Sequence, residues 1–402
     1  MTVACVSGSD EDASVFLRRI ALQNLLSFGS DETALELQPL NVLIGPNGSG
    51  KSNLIAAIGL LQAAAKDLTA PIRATGGIGE WLHKGERRTR GGTINTVVGR
   101  SSRHGALRYR LSVEAHGHRF RVGIESVEDN ESEDGRSGGR AHYTYSDGTG
   151  TLVPRDGVTR LLDVEELDPE QSILSQLKDP HASPEITDLG KQFDGIRIYR
   201  EWSFGQGAPT RSPQPSDLRN DFLAEDTSNL GLVLNRLRRT PAVKKRLLEA
   251  ARKLYDGLTD FDVIVEGGTV QVFLEENGIT VPAVRLSDGT LRYLCLLAIL
   301  CHDDPPPLVC IEEPELGLHP DMMPTLADLL REASARCQLI VTTHSDVLVD
   351  ELAENPESVV VCEKHEGRTG LQRLNRKDLS QWLARYSVGE LWRKGELGGN
   401  RW

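Results

Sequence analysis

The segment Gly45-Pro46-Asn47-Gly48-Ser49-Gly50-Lys51-Ser52 constrains this chain more than any other. It follows the apolar run Leu40-Asn41-Val42-Leu43-Ile44 and precedes Asn53-Leu54-Ile55-Ala56-Ala57-Ile58. The pattern reads as a buried strand, a glycine-rich turn and a helix. Glycines let the backbone wrap closely, so consecutive N–H groups can point at one anion. A helix that begins near Lys51 turns the positive end of its dipole to the same place. The spacing Gly-x-x-x-x-Gly-Lys-Ser is the one that holds a nucleoside triphosphate, with Lys51 neutralising the β- and γ-phosphates and the Ser52 hydroxyl ligating Mg²⁺. Asn47, Gly48, Ser49, Gly50 and Asn53 complete this candidate binding set.

Bulk properties narrow the class. A chain of 402 residues suggests two or three domains, or one large domain with an insertion. Hydrophobic content of 39% and charged content of 26% are those of a globular protein. No apolar run reaches the roughly 18 residues of a membrane span, and the first residues lack the basic and apolar regions of a secretory signal. The six cysteines, at 5, 295, 301, 310, 337 and 362, form no Cys-x-x-Cys pair. Cys295 and Cys310 sit in apolar runs, where a thiol packs as a small hydrophobe. Together these features point to a reducing cytoplasm and against structural zinc. The net charge of −12 leaves no global basic field for nucleic acid. Local basic stretches remain at 83–90, 236–239 and 244–246, most simply as solvated faces.

Along the chain, strands are expected at 16–28 and 33–37, and a helix at 53–68. Runs at 93–98, 107–114 and 119–126 alternate and suggest an antiparallel meander. Residues 126–150, poor in aliphatic side chains, read as a mobile surface loop or insertion tip. A helix is expected over 161–177, a proline-rich linker over 209–215, and amphipathic helices over 217–238 and 242–258. Alternating runs at 262–274 and 279–284 flank an Asn277-Gly278 hairpin turn. Ser287 caps an apolar helix over 291–300, ended by Asp303-Asp304-Pro305-Pro306-Pro307. Runs at 308–311 and 338–343 have the continuous apolar character of buried parallel strands, with a helix at 322–335 between them. There is no internal repeat and no sustained heptad pattern.

Three motifs in the second half carry chemistry. The strand Leu308-Val309-Cys310-Ile311 ends in Glu312 and Glu313, which point to opposite sides of an extended chain. Glu312 suits the water shell of Mg²⁺, and Glu313 can polarise the water that attacks a γ-phosphate. The strand Gln338-Leu339-Ile340-Val341-Thr342-Thr343 leads to His344, which can sense the γ-phosphate and steer that water. Leu286-Ser287-Asp288-Gly289 opens a helix, itself an anion-binding position.

The order of glycine-rich loop, Leu-Ser-x-Gly helix, apolar strand with Glu-Glu-Pro-Glu, and Thr-His-Ser resembles the ABC-type ATPase heads of the RecF and SMC group. It looks closest to the compact AAA-like ATPases related to the overcoming-lysogenization-defect proteins, without their fused nuclease. The entry Leu22-Gln23-Asn24-Leu25-Leu26-Ser27-Phe28 is similar to that group's first strand and adenosine-side loop. The closing stretch 382–402 looks like the tail of the compact subgroup. The resemblance covers residues 16–68 and 284–363 and implies an α/β P-loop head: a mixed central sheet with helices, an antiparallel β lobe and a helical insertion. The implied division is 1–92 and 261–375 for the two halves of the head, 93–160 for the β lobe, 161–260 for the insertion and 376–402 for the tail.

The resemblance also implies ATP and Mg²⁺ as cofactors, and a homodimer that sandwiches ATP. Lys51 and Ser52 of one copy and Ser287 and Gly289 of the other would hold each nucleotide. Glu312 and Ser52 would serve the metal, Glu313 and Lys51 would be catalytic, and His344 would be the switch. The family's glutamine loop has Gln171 and Gln176 as mid-chain candidates. Two departures stand out: Glu312 where many relatives carry Asp, and Leu26 where many carry Arg. Two functions remain open at this stage. One is an ATP-hydrolysing switch acting on DNA or a separate effector such as a nuclease, in DNA repair or antiphage defence. The other is a nucleotide-gated scaffold with little hydrolysis. A membrane transporter's ATPase subunit fits less well, given the globular insert.

Overall fold

A computed structural model describes residues 15–85, 89–100, 105–117, 119–130, 139–163, 165–254, 257–352, 355–383 and 385–398. The chain divides into two units. The first comprises Met1–Ile196, Glu357–Asn375 and Gly395–Trp402; the second comprises Arg197–Pro356 and Arg376–Lys394.

The first unit holds an eight-stranded antiparallel sheet. Its strands neighbour one another in the order Thr33–Glu36, Leu17–Gln23, Gly91–Gly99, Ala106–His116, Arg119–Asp129, Ala141–Ser146, Thr149–Leu152 and Arg160–Leu162. Beside this meander, the strand Leu40–Ile44 pairs in parallel with Val359–His365, which turns back antiparallel onto Arg368–Arg373. All five residues of Leu40–Ile44 are buried, as their unbroken apolar character requires. The helix Lys51–Ala64 follows, with Leu54, Ile55, Ala57, Ile58, Leu60, Leu61 and Ala64 buried. A helix apolar on nearly every side belongs in a core.

One polar group sits deep in this unit. The Glu125 carboxylate accepts hydrogen bonds from Tyr109 Oη (2.7 Å), Ser172 Oγ and the Ile173 backbone N–H (3.0 Å). These bonds tie two strands of the meander to the short helix Ile173–Gln176, which Ser172 caps. Burial holds the Glu125 carboxyl above its usual range, against the lowering effect of its hydrogen bonds.

In the second unit, Arg197–Tyr199, Leu308–Glu312 and Gln338–Thr342 run parallel in that order. A small antiparallel sheet is formed by Gln214–Pro215, Leu258–Glu266, Thr269–Glu276 and Ile279–Pro282. The helices Leu230–Leu237, Pro241–Arg252, Asp288–Leu300 and Met323–Ser334 carry the remaining core. Ten of the thirteen residues of Asp288–Leu300 are buried, so this helix is central rather than superficial. The fold is therefore mixed α/β, with parallel strands and antiparallel sheets, as the motif order implies.

Several local expectations need correction. Residues 126–150 do not form one loop: the meander continues through Ala141–Ser146 and Thr149–Leu152. His142, Tyr143 and Tyr145 are buried there, so aromatic residues carry the strand in place of aliphatic ones, and Asp147-Gly148 makes the tight turn with positive φ at both positions. Residues 131–138 of that stretch lie outside the described residues. The helix expected over 161–177 is a strand, a series of turns and the four-residue helix Ile173–Gln176. The side chains of Asp163 and Asp168 accept from the N–H groups of Glu165 and Glu170, an alternative to helix, and Pro169 cannot donate.

Residues 217–229 are likewise non-helical: Asn229 bonds the carbonyls of Arg219 and Phe222 and the N–H of Ala224. The stretch 209–215 is no linker, since Thr210, Arg211 and Gln214 are buried. The run 262–274 is a hairpin that turns at Gly267-Gly268.

The environment of Glu125 gives a pH prediction. A carboxyl whose folded pKa is raised keeps its proton where the unfolded chain has lost it. Stability therefore falls as pH rises from about 4.3 through the folded value. Denaturant midpoints between about pH 4 and 8 should show the native chain losing stability relative to Glu125→Gln, whose amide does not titrate; parallel profiles would refute this assignment.

Candidate nucleotide site

In the first unit, Gly45 has φ +145 and Gly50 φ +108, a region that side chains strain to enter. Space is equally restrictive: a Cβ on Gly45 would overlap the Cys362 carbonyl oxygen, and one on Gly50 would overlap the Thr369 side chain. The turn is thus pressed against the Val359–His365 and Arg368–Arg373 hairpin. Lys51 is buried, and its ammonium donates to the carbonyls of Gly45 (2.6 Å) and Pro46 (3.2 Å), so the cation lies across the turn. Asn47, Gly48 and Ser52 are exposed. No side chain caps the N-terminus of Lys51–Ala64, and the buried Ser49 Oγ has no hydrogen-bond partner. Close backbone, an uncapped helix start, a buried cation and an orphaned hydroxyl together fit phosphate oxygens.

Asn53, placed in the binding set on sequence grounds, donates from Nδ2 to Ser27 Oγ (2.7 Å). Thr369 Oγ1 lies 2.7 Å from Ser27 Oγ and donates to the Ser49 carbonyl at 2.8 Å. These residues knit the loop after the first strand to the glycine-rich turn. Ser27 and Thr369 were not singled out from sequence; a hydroxyl at a loop end gives no signal until the hairpin brings it in. Leu26 stands at φ +54, and its carbonyl meets His83 Nδ1 at 3.1 Å. Gln171 and Gln176 are taken up locally: Gln171 bonds the Leu68 N–H and Asp67, and Gln176 bonds the Asp168 backbone.

In the second unit, two neighbouring parallel strands bring the acids and the histidine together. Glu313 Oε1 lies 3.5 Å from His344 Nε2. Glu313 has φ +49, outside the strand, and its N–H donates to the Thr342 carbonyl at 2.9 Å. Glu312 is paired with Arg200 at 3.0 Å. Glu315, quoted in the motif but given no role, accepts from Thr343 Oγ1 (2.7 Å) and the His344 N–H (2.8 Å). It thereby fixes the backbone that presents the imidazole.

Ser287 caps Asp288–Leu300 through the Thr290 N–H (3.1 Å), and a Cβ on Gly289 would lie 2.5 Å from the Gly317 carbonyl oxygen. Arg211, only 9% exposed, fixes this segment: its guanidinium donates to the carbonyls of Phe204 (2.6 Å), Leu286 (2.6 Å) and Val284 (3.3 Å) and pairs with Asp288. Nothing in the sequence flagged Arg200 or Arg211, since neither belongs to a motif.

The candidate metal donors, the Ser52 hydroxyl and the Glu312 carboxylate, are hard oxygen ligands suited to Mg²⁺. Among the described residues no group of three or more His, Cys, Asp or Glu is gathered as a metal cage. The described cysteines, Cys295, Cys301, Cys310, Cys337 and Cys362, are free and buried; burial pushes Cys301 up to about 11 and Cys337 and Cys362 up to about 12. They pack as apolar groups. Cys5 lies outside the described residues. No helix among the described residues is long and apolar enough to cross a membrane.

Removing the space at the turn tests this geometry. Gly50→Ala should cost roughly 1–3 kcal/mol of stability, from the strained φ and the overlap with Thr369. In a denaturant-based double-mutant cycle, Thr369→Ala should return part of that loss.

Known proteins share the fold and the family of this chain. The solved Smc head bound to the C-terminal winged-helix domain of ScpA superposes with a TM-score of 0.58 at 15% identity, covering 90% of this chain and 99% of that one. The Pyrococcus furiosus Smc head with an extended coiled coil gives 0.56 at 15% identity, over 92% and 98%. The Pyrococcus yayanosii Smc head with coiled coil and joint gives 0.52 at 13% identity, over 92% and 99%. No curated protein matches the chain. Residues 40–350 match the family described as "AAA domain, putative AbiEii toxin, Type IV TA system". The chain belongs to that family of P-loop ATPase domains, with the fold of a RecF/SMC-like ABC-type head.

Proposed function

We propose that this protein binds and hydrolyses ATP, and that ATP joins two copies into a dimer whose opening and closing is the output. The observation that carries this reading is the delivery of Glu313 and His344, from adjacent parallel strands, to within 3.5 Å of each other. A carboxylate beside an imidazole at a strand end can take a proton from water and hold that water in line. Lys51 and the N-terminal turn of its helix bind and orient the phosphates. Ser52 and Glu312 would hold Mg²⁺, which neutralises charge on the β- and γ-phosphate oxygens. Release of Glu312 from Arg200 accompanies that role. Ser287 and Gly289, at the capped start of Asp288–Leu300, close on the nucleotide of the second copy.

The proposed effector is DNA or a separate protein. The Smc head bound to the winged-helix domain of ScpA supports a protein partner by analogy of fold. Antiphage defence or DNA repair is the setting we favour, on the family's toxin–antitoxin description and the SMC-like fold. The protein's acidic balance of −12 favours a protein effector over a broad DNA-binding face.

Glu313→Gln is the direct test. Phosphate release should fall by roughly 10²–10⁴-fold, and light scattering in Mg-ATP should show a persistent dimer that the native chain forms only transiently. An unchanged rate removes Glu313 from the reaction. A native chain that dimerises on ATP yet releases no phosphate is a nucleotide-gated scaffold instead.

A further inference from the structure

The backbone of Glu313 poses a physical problem. Its φ of +49 is a left-handed conformation that costs a non-glycine residue free energy. Such a residue persists only where its surroundings over-determine it. The N-terminal side of the residue is fixed by the bond from the Glu313 N–H to the Thr342 carbonyl, at 2.9 Å. On the other side the Glu313 carbonyl accepts from two donors, the Leu316 N–H of the following turn and Nη1 of Arg292, each at 3.2 Å; Arg292 is the one side chain of the two.

Arg292 is itself held. Its guanidinium carbon lies 5.3 Å from the centre of the Trp202 ring and 5.6 Å from that of Phe204. The two rings are 5.8 Å apart and tilted by 36°, so they form a platform under the guanidinium. Cations over aromatic faces are attracted most strongly where water is excluded, and Phe204 is buried. Burial lowers the Arg292 pKa, while Cys295, Glu315 and Glu313 oppose that shift. The side chain springs from the second turn of Asp288–Leu300, three residues beyond Gly289. It spans from the capped helix start to the acidic strand end.

We infer that Arg292 is a positioning residue for Glu313: seated on Trp202 and Phe204, it holds the Glu313 backbone so that the carboxylate faces His344. This rests on the reading of Glu313 as the group that activates water. The planar fork is essential to the device. A lysine keeps the charge but lacks the planar array of donors that lets one group sit over the rings and direct an N–H at the Glu313 carbonyl.

The test compares the native chain, Glu313→Gln, Arg292→Lys and Trp202→Leu in steady-state ATP hydrolysis. Alongside, the affinity for a non-hydrolysable ATP analogue and the melting temperature are measured. Arg292→Lys and Trp202→Leu should each lower kcat by roughly 10- to 100-fold, with analogue affinity and ATP-dependent dimerisation within about twofold of native, since neither residue is assigned to the phosphates. Rates within about twofold of native in both variants overturn the inference. So does a parallel loss of rate, affinity and melting temperature, which marks a general packing role. A native chain without turnover, or an unimpaired Glu313→Gln, removes the underlying reading along with it.

Discussion

The glycine-rich turn depends on backbone crowding. Gly45 and Gly50 are pressed against a carbonyl oxygen and a threonine from a hairpin more than 300 residues away in sequence. That proximity leaves no room for side chains, and it gives the turn a rigid wall. Thr369 anchors both sides through Ser27 and the Ser49 carbonyl, and Asn53 completes the net from the helix. A phosphate site built of N–H groups works only if they are fixed before the ligand arrives. Here Ser27, Asn53 and Thr369, bonded to one another and to the backbone of the turn, supply rigidity of that kind.

The second unit uses different physics. Its two candidate acids sit at the end of one parallel strand: Glu312 closes it, and Glu313, with φ +49, lies just beyond it. Departure from strand geometry at Glu313 turns that carboxylate toward His344. Guanidinium groups stabilise this region at three points: Arg200 at Glu312, Arg211 at the helix start, and Arg292 at the Glu313 carbonyl. Arg200 and Glu312 are 34% and 18% exposed, so water screens their attraction only in part. Arg211 is buried and depends on the carbonyls that satisfy its donors.

How much was legible in the sequence follows from which signals are local. The strand, turn and helix of residues 40–58 could be read because apolar periodicity and glycine spacing lie within one short window. The same holds for the Ser287 cap and the strands ending at Glu312 and Thr342. Errors clustered where side chains compete with the backbone. Asp163, Asp168 and Asn229 satisfy nearby backbone groups and end helices that periodicity alone would extend. Tyr143 and Tyr145 made a strand that the scarcity of aliphatic residues concealed. Arg200, Arg211, Arg292 and Thr369 had no readable role, because each acts on a residue distant in sequence. Their partners become visible only when the chain is folded.

The wall of the turn also has a temporal consequence. The strand Leu40–Ile44 pairs in parallel with Val359–His365, and Gly50 abuts Thr369. During synthesis the amino-terminal segment leaves the ribosome long before that hairpin exists. The antiparallel meander can form from consecutive strands, but the edge of Leu40–Ile44 that pairs with Val359–His365 must wait. A product truncated before about residue 370 would carry every residue of the glycine-rich motif and still lack the surface that shapes it. The turn therefore gains its wall only once residues 359–373 have been made.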